Sequence, residues 1–328
     1  MLDDTRRFDP LNRAYGAVFH PGRLSLGLVV PIDPYPATRA PEAADHVARV
    51  QLAERLGFAA VWLRDVPFDV PSFGDAGQVL DPFVLLGALA ATTDRIALGV
   101  ASLILPLRHP AHVAKAAASV DAMSGGRLLL GVASGDRPEE YPAMGADHAG
   151  RGDAFRAAFD YIRRMADPYP AFENLCGAPD GRADLLPKPV AGRLPMLITG
   201  GARQAPSWGA AKADGWITYP REAAEQARAV EVWRGQIPED QASKPVMQPL
   251  YIDLADDPEA APTPLHLGFR SGVRPLAEYL RAVQAAGVNH VALNLRFNQT
   301  PIEATLERLA ADLLPLFHAP LIYSGDPV

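Results

Sequence analysis

The chain has 328 residues, 48% hydrophobic and 21% charged, with a formal net charge of −7; these are values of a packed globular protein, and an acidic balance without a long basic run excludes a nucleic-acid surface. A single cysteine, Cys176, excludes internal disulfides and a zinc–cysteine cluster. No apolar run approaches the ~20 residues of a membrane span, and the start, MLDDTRRFDPLNRAYG, lacks the apolar core of a secretion signal, so a cytoplasmic protein is expected.

After an arm over residues 1–22, RLSLGLVVPI (23–32) reads as a buried strand and residues 40–57 as a helix. In that helix Val47, Val50, Ala53 and Leu56 recur at helical spacing, and Gly57 is the stop. AAVWLRD (59–65) is a second strand. Asp81 then caps a helix with Pro82 at its first position. The third strand, RIALGVASLIL (95–105), precedes a helix over 110–125. The fourth, RLLLGVASG (127–135), precedes an acidic insertion and a helix over 151–166. The second half repeats the pattern, with strands at 195–201, 215–220, 244–254 and 288–297. Helices follow from about 206, over 221–236, over 274–287 after a proline-rich insertion, and over 301–317.

Eight strand-then-helix units predict an α/β fold, a (β/α)8 TIM barrel with insertions in its strand-to-helix loops, as one domain over 23–328. A doubly wound open sheet is the alternative, and no GxGxxG follows the first strand to support it. Barrel active sites gather where strands hand over to helices. SGGR (124–127) lies on the opposite, helix-to-strand face and reads as a helix stop. Thr199-Gly200-Gly201-Ala202 lies on the active face. There, bare amides at a strand-to-helix turn suit an anion, and glycine lets the backbone close on it.

LGFAAVWLRD, the block RIALGVASLILPLRHPAHVAKAAASVDAMSGGRLLLGVASG and PMLITGGARQAPSWGAAKADGWI together resemble the bacterial luciferase-like flavin monooxygenases, over roughly residues 23–318. The resemblance implies a TIM barrel, FMN as cofactor, borrowed as FMNH2 from a separate reductase, and O2 and a small organic substrate as reactants. Oxygen transfer would run through a flavin C4a-peroxide. One branch of the family uses F420 instead, as a dehydrogenase or reductase. By the same resemblance Ser102, Ala133, Ser134, Gly135, Arg151, Thr199, Gly200, Gly201, Ala202 and Tyr219 hold the cofactor, its phosphate lying at 199–202 and Arg151. A cis peptide at Ala101–Ser102 and a homodimer are further implications.

Asp65, His109 and Asp136 are the catalytic candidates, with no base assigned. Pro31, Asp33, Tyr141, His148, Asn294 and Arg296 are other rim positions, and Val30, Leu63, Phe68, Ala133 and Trp216 the expected apolar lining. The chain departs from the light-emitting members, which carry a histidine where Arg64-Asp65 stands and a reactive cysteine where Ala133 stands, so bioluminescence is not implied. The family's long insertion is shortened to 167–193. Two rivals complete the reading. A metal-assisted hydrolase would use His109, His112, Asp136 and His148, but lacks an HxH after the first strand, so no metal is expected. A flavin-binding protein without activity is the other.

Overall fold

The computed structural model describes residues 7–35, 45–73 and 80–317. In chain order the elements are α1 (Arg13–Val18), β1 (Ser25–Val29), α2 (His46–Leu56), β2 (Ala60–Leu63), α3 (Pro82–Thr92), β3 (Ala97–Ile104) and α4 (Pro110–Met123). Then come β4 (Leu128–Ala133), α5 (Glu140–Ala143), α6 (Arg151–Arg164), β5 (Met196–Thr199), α7 (Pro206–Lys212), β6 (Gly215–Ile217) and α8 (Ala223–Arg234). The last are β7 (Val246–Leu254), β8 (Thr263–Leu265), β9 (Gly268–Ser271), α9 (Val273–Ala285), β10 (His290–Asn294), α10 (Ile302–Asp312) and α11 (Leu314–Phe317).

Strands β1 to β7 pair in parallel in chain order, and β10 pairs with both β1 and β7, which closes an eight-stranded parallel barrel. Each predicted strand is present. The N-terminal part of the first predicted helix, residues 40–44, lies outside the described residues. Its C-terminal stop is as expected: Gly57 sits at φ 94°, with its N–H and that of Phe58 both reaching Ala53 O. Gly125 and Gly126, both at positive φ, close α4 ahead of β4 on the lower face.

Alternation along the strands splits the apolar residues into two cores. One lies between barrel and helices and includes Leu26, Leu28, Leu98, Leu130, Ile198 and Leu293; the other fills the barrel and includes Val29, Trp62, Leu129, Leu197, Ile217 and Met247. Large interior side chains demand small neighbours. A Cβ at Gly99 would sit 2.3 Å from Trp62, and one at Gly27 would sit 2.8 Å from the His290 ring. Those two rings meet deep in the barrel. Trp62 Nε1 donates to His290 Nε2 at 2.8 Å, so Nδ1 carries the proton towards Ser25 Oγ at 2.7 Å.

Two elements have no strong signal in the sequence. Within the arm, Asn12 caps α1 by accepting from Tyr15 N at 2.9 Å, and α1 plugs the lower end with Tyr15 and Val18. Within the proline-rich insertion, β8 and β9 form a hairpin. β7 pairs with β10 as far as Tyr251, then continues past the barrel and pairs with β9 from Tyr251 to Leu254. A Cβ at Gly268 would lie 1.8 Å from Tyr251 O, so only glycine allows that approach. The hairpin becomes one wall of the upper mouth.

Candidate functional site

The mouth, at the carboxyl ends of the strands, holds a cavity of about 530 Å³, within the range of small-molecule sites. A wider depression of about 840 Å³ lies on the outer wall between α6 and α7, but its Arg163 and Arg193 are already committed to Asp214. The convergent polar groups are in the mouth.

The turn after β5 has a specific shape. Gly200 N donates to Ile217 O at 2.8 Å, and Trp216 Nε1 donates to Gly200 O at 3.0 Å. Gly200, Ala202 and Arg203 stand at φ 53°, 42° and 60°. The hand alternates from Gly200 through Gly201 to Ala202, the kind of turn whose successive amides form a concave, anion-binding arrangement. The N–H groups of Gly201, Ala202 and Arg203 have no acceptor among the described residues. Two details differ from the sequence reading. Gly201 is not left-handed, and a Cβ there would meet only Gln204 O at 3.8 Å, so the handedness falls on Gly200, Ala202 and Arg203. The helix α7 starts at Pro206, as the sequence reading has it; what differs is that it begins four residues after Ala202, so no helix end stands directly behind the amides.

β4 supplies the facing edge. Gly135 is at φ 77°, where a Cβ would lie 2.7 Å from Tyr141 Oη. Tyr141 donates to Ser134 O and packs its ring edge-on against His148, with centroids 4.9 Å apart. Burial pushes the Tyr141 phenol up to about 12, with the Arg151 guanidinium opposing, so it stays a donor near neutral pH. Arg151 Nη1 donates to His148 O at 2.6 Å, while its Nε is buried with no partner. A buried guanidinium nitrogen without a partner among the described residues is costly in an empty protein, and near amides that have no protein acceptor it fits an anion.

Every expected cofactor residue lines this one cavity: Ser102, Ala133, Ser134, Gly135 and Arg151 on one side, Thr199, Gly200, Gly201, Ala202 and Tyr219 on the other. The Ala101–Ser102 peptide is cis, as the resemblance implies, and Ser102 Oγ hydrogen-bonds Thr199 Oγ1. Asp65 and Asp136 also line the cavity; His109 does not. His109 instead caps α4, accepting from Ala111 N at 3.3 Å, and its ring packs against His112 and Tyr161. Asp65, its side chain 1% exposed, grips Arg108 through both oxygens (Nη2–Oδ1 2.7 Å, Nε–Oδ2 3.1 Å) and accepts from Ile104 N at 3.0 Å. That carboxylate fastens β2 to β3. Asp136 is exposed on the rim. The metal set drawn from His109, His112, Asp136 and His148 does not assemble, and among the described residues no three His, Cys, Asp or Glu gather as a cation site.

The expected apolar lining is corrected. Of Val30, Leu63, Phe68, Ala133 and Trp216, only Ala133 lines the cavity; Val29, Ile217, Met247, Pro249 and Ala292 do so instead. The period of two explains most of this, because a one-residue slip moves a side chain to the other face of the sheet. Val30 points to the outer core, and Trp216 stacks on Trp233 at 5.6 Å outside the barrel. The cavity also gains Arg64, Phe73, Arg137, Glu140, Arg203, Tyr251, His266 and Leu267. Arg203 and Arg64 adjoin residues the motifs had singled out. His266 and Leu267 depend on the hairpin, for which the sequence offers only a proline-rich stretch.

A closed eight-stranded parallel barrel with helices between its strands and a lined cavity at the strand ends is a TIM barrel. Within that class the chain belongs to the luciferase-like monooxygenase family, an oxidoreductase family whose model matches residues 22–318. An uncharacterized protein of Mycobacterium tuberculosis is 32% identical over 191 residues, 53% of this chain and 67% of its own. Two solved structures share the fold. An F420-dependent secondary alcohol dehydrogenase in complex with an F420-acetone adduct has a TM-score of 0.72 at 17% identity, covering 90% of this chain and all of its own. The oxygenating constituent of 3,6-diketocamphane monooxygenase of Pseudomonas putida, a type II Baeyer-Villiger monooxygenase in complex with FMN, has a TM-score of 0.70 at 16% identity, covering 91% of this chain and all of its own. Both FMN and F420 therefore occur on this fold. No helix among the described residues is long and apolar enough to cross a membrane.

Proposed function

We propose that the chain binds FMN in the mouth of the barrel and, with reduced FMN and O2, oxygenates a small organic substrate. The observation that carries this is that the amides of Gly201, Ala202 and Arg203 and the buried Nε of Arg151, in residues that line one cavity, have no partner among the described residues. Together they suit the dianion of a terminal phosphate. Reduced FMN supplies the electrons that activate O2. The protein's tasks are to hold, orient and exclude water. Arg151 and the turn fix the phosphate end. Ser102, tied to Thr199, offers a hydroxyl at the floor, and Val29, Ala133, Ile217, Met247 and Ala292 keep the floor apolar, which limits water at the reacting atoms. The hairpin residues His266 and Leu267, carried beyond β7, line the same cavity and bound the substrate space.

A separate reductase is the implied source of reduced flavin, and a second copy of the chain is the implied subunit partner. For the latter, Val84 of α3 and Met123 of α4 leave apolar side chains 72% and 60% exposed on the outer wall. Fluorescence titration of the purified protein with oxidised FMN and with F420 tests the cofactor, while light scattering on the same sample gives the mass. FMN is expected to saturate and F420 to bind at least tenfold more weakly. Saturation by F420 with no FMN binding moves the protein to the deazaflavin hydride-transfer branch. A mass of 35.1 kDa across the micromolar range removes the subunit partner.

A further inference from the structure

Three carboxylates line the mouth, and they differ in what holds them. Asp65 has both oxygens on Arg108 and one on the Ile104 amide. Asp136 stands exposed on the rim. Glu140, in α5, is 3% exposed, and among the described residues its one hydrogen bond is a long one from Arg137 Nη1 to Oε1 at 3.4 Å. Oε2 has no donor among the described residues. The Arg137 guanidinium is drawn aside, lying 4.4 Å from the centroid of the Phe73 ring. A buried carboxylate served by one long contact is poorly stabilised as an anion.

The groups facing Glu140 agree with this. Burial pushes its carboxyl above the ordinary glutamate range; Arg137 opposes, and the carboxylates of Asp65 and Asp136 push the same way as burial. Tyr141, its neighbour in α5, stays neutral and adds no anion. A carboxyl whose hold on its proton is strengthened by burial at the wall of a binding cavity is suited to general acid work.

We propose that Glu140 is the proton donor of the mouth, giving its proton to an oxygen atom of O2 as O2 is reduced there; this rests on the flavin-and-oxygen reading above. The balance is simple. Anionic reduced flavin gives two electrons and one proton, so one further proton completes hydrogen peroxide when no substrate is present. The O–H bond of Glu140 breaks, an O–H bond forms on the oxygen, and the carboxylate left behind lies beside Arg137. Solvent at the Asp136 rim restores the proton.

Two readouts on the whole chain test this. Infrared difference titration of the protein without cofactor is expected to show a protonated-carboxyl band that persists above the pH where ordinary glutamates ionise, present in wild type and in Glu140→Asp and absent in Glu140→Gln. With reduced FMN and O2 as the probes, peroxide release is expected to fall in wild type as pH rises through that titration. In Glu140→Gln it is expected to be at least tenfold slower and flat over the same range, with FMN affinity within twofold of wild type. A titration that is identical in Glu140→Gln, or a full rate with an unchanged pH profile in that variant, overturns the proposal. A wild-type protein that binds FMN without oxidising reduced FMN overturns the oxygen reading and this donor with it, whereas a missing infrared band removes the donor and leaves the cofactor site standing.

Discussion

Two turns of this barrel present three consecutive backbone amides to one spot, and they are finished differently. At the lower face the N–H groups of Asp94, Arg95 and Ile96 all donate to Glu54 Oε1, at 2.9, 2.6 and 2.9 Å. At the mouth the N–H groups of Gly201, Ala202 and Arg203 have no acceptor among the described residues. Three amides are therefore filled from within at one end and left without a protein acceptor at the other. The surroundings follow suit. Below, α1 plugs the barrel, Tyr15 donates to Asp214 O at 2.7 Å, and the buried Arg127 bonds backbone oxygens of Ala90, Thr93, Ile96 and Ser124. Above, Arg151 keeps a buried Nε unpaired. Stability is concentrated at the closed end and unmet hydrogen-bonding capacity at the open one.

The strongest way to break that contrast is to open the lower end. Trp62→Ala would empty space that Gly99 and His290 are shaped around, and truncating a buried tryptophan costs about 3–5 kcal/mol. Denaturant unfolding is expected to register that loss. A cost below about 1 kcal/mol would mean the closed end is not where stability resides.

A gentler change sharpens the comparison of the turns themselves. Burial raises the Glu54 carboxyl, but the Ile96, Arg95 and Asp94 amides outweigh it, so its net shift is downward. A carboxyl lowered in the folded state contributes stability that is fully present above its unfolded value and is lost as pH falls through the folded value. Glu54→Gln is therefore expected to destabilise by about 1 kcal/mol at pH 7, and the deficit is expected to shrink as the pH drops below about 4.5. Urea midpoints at the two pH values read this. A deficit that is constant with pH would show that the charge of Glu54 does not serve those amides.

The barrel was legible because its signal is repeated eight times: apolar strands, a helical period in each following helix, and stops such as Gly57 that work through the local backbone alone. The unusual turn after β5 was legible for a related reason, since a glycine pair between strand and helix announces an unusual local geometry. What escaped depended on side-chain direction or on distant pairing. Val29 and Val30, or Trp216 and Ile217, are equally apolar, and only the register decides which one faces the mouth. The β8–β9 hairpin exists because β7 overruns the barrel and finds a partner about fifteen residues later in the chain, a non-local event that composition hides under prolines. Glu140 was invisible for the same reason, being one glutamate among an acidic stretch until α5 folds it inward. His109, by contrast, looked like chemistry and proved to be a helix cap.

The central claim is that the open turn and Arg151 hold a phosphate, and comparing FMN with riboflavin tests it most directly, because the two differ only in that group. Calorimetric titration of wild type is expected to give FMN at least tenfold tighter than riboflavin, a difference of about 1.4 kcal/mol or more. In Arg151→Met the gap is expected to narrow while the melting temperature stays unchanged. Equal affinity for FMN and riboflavin in the wild-type protein would contradict the account.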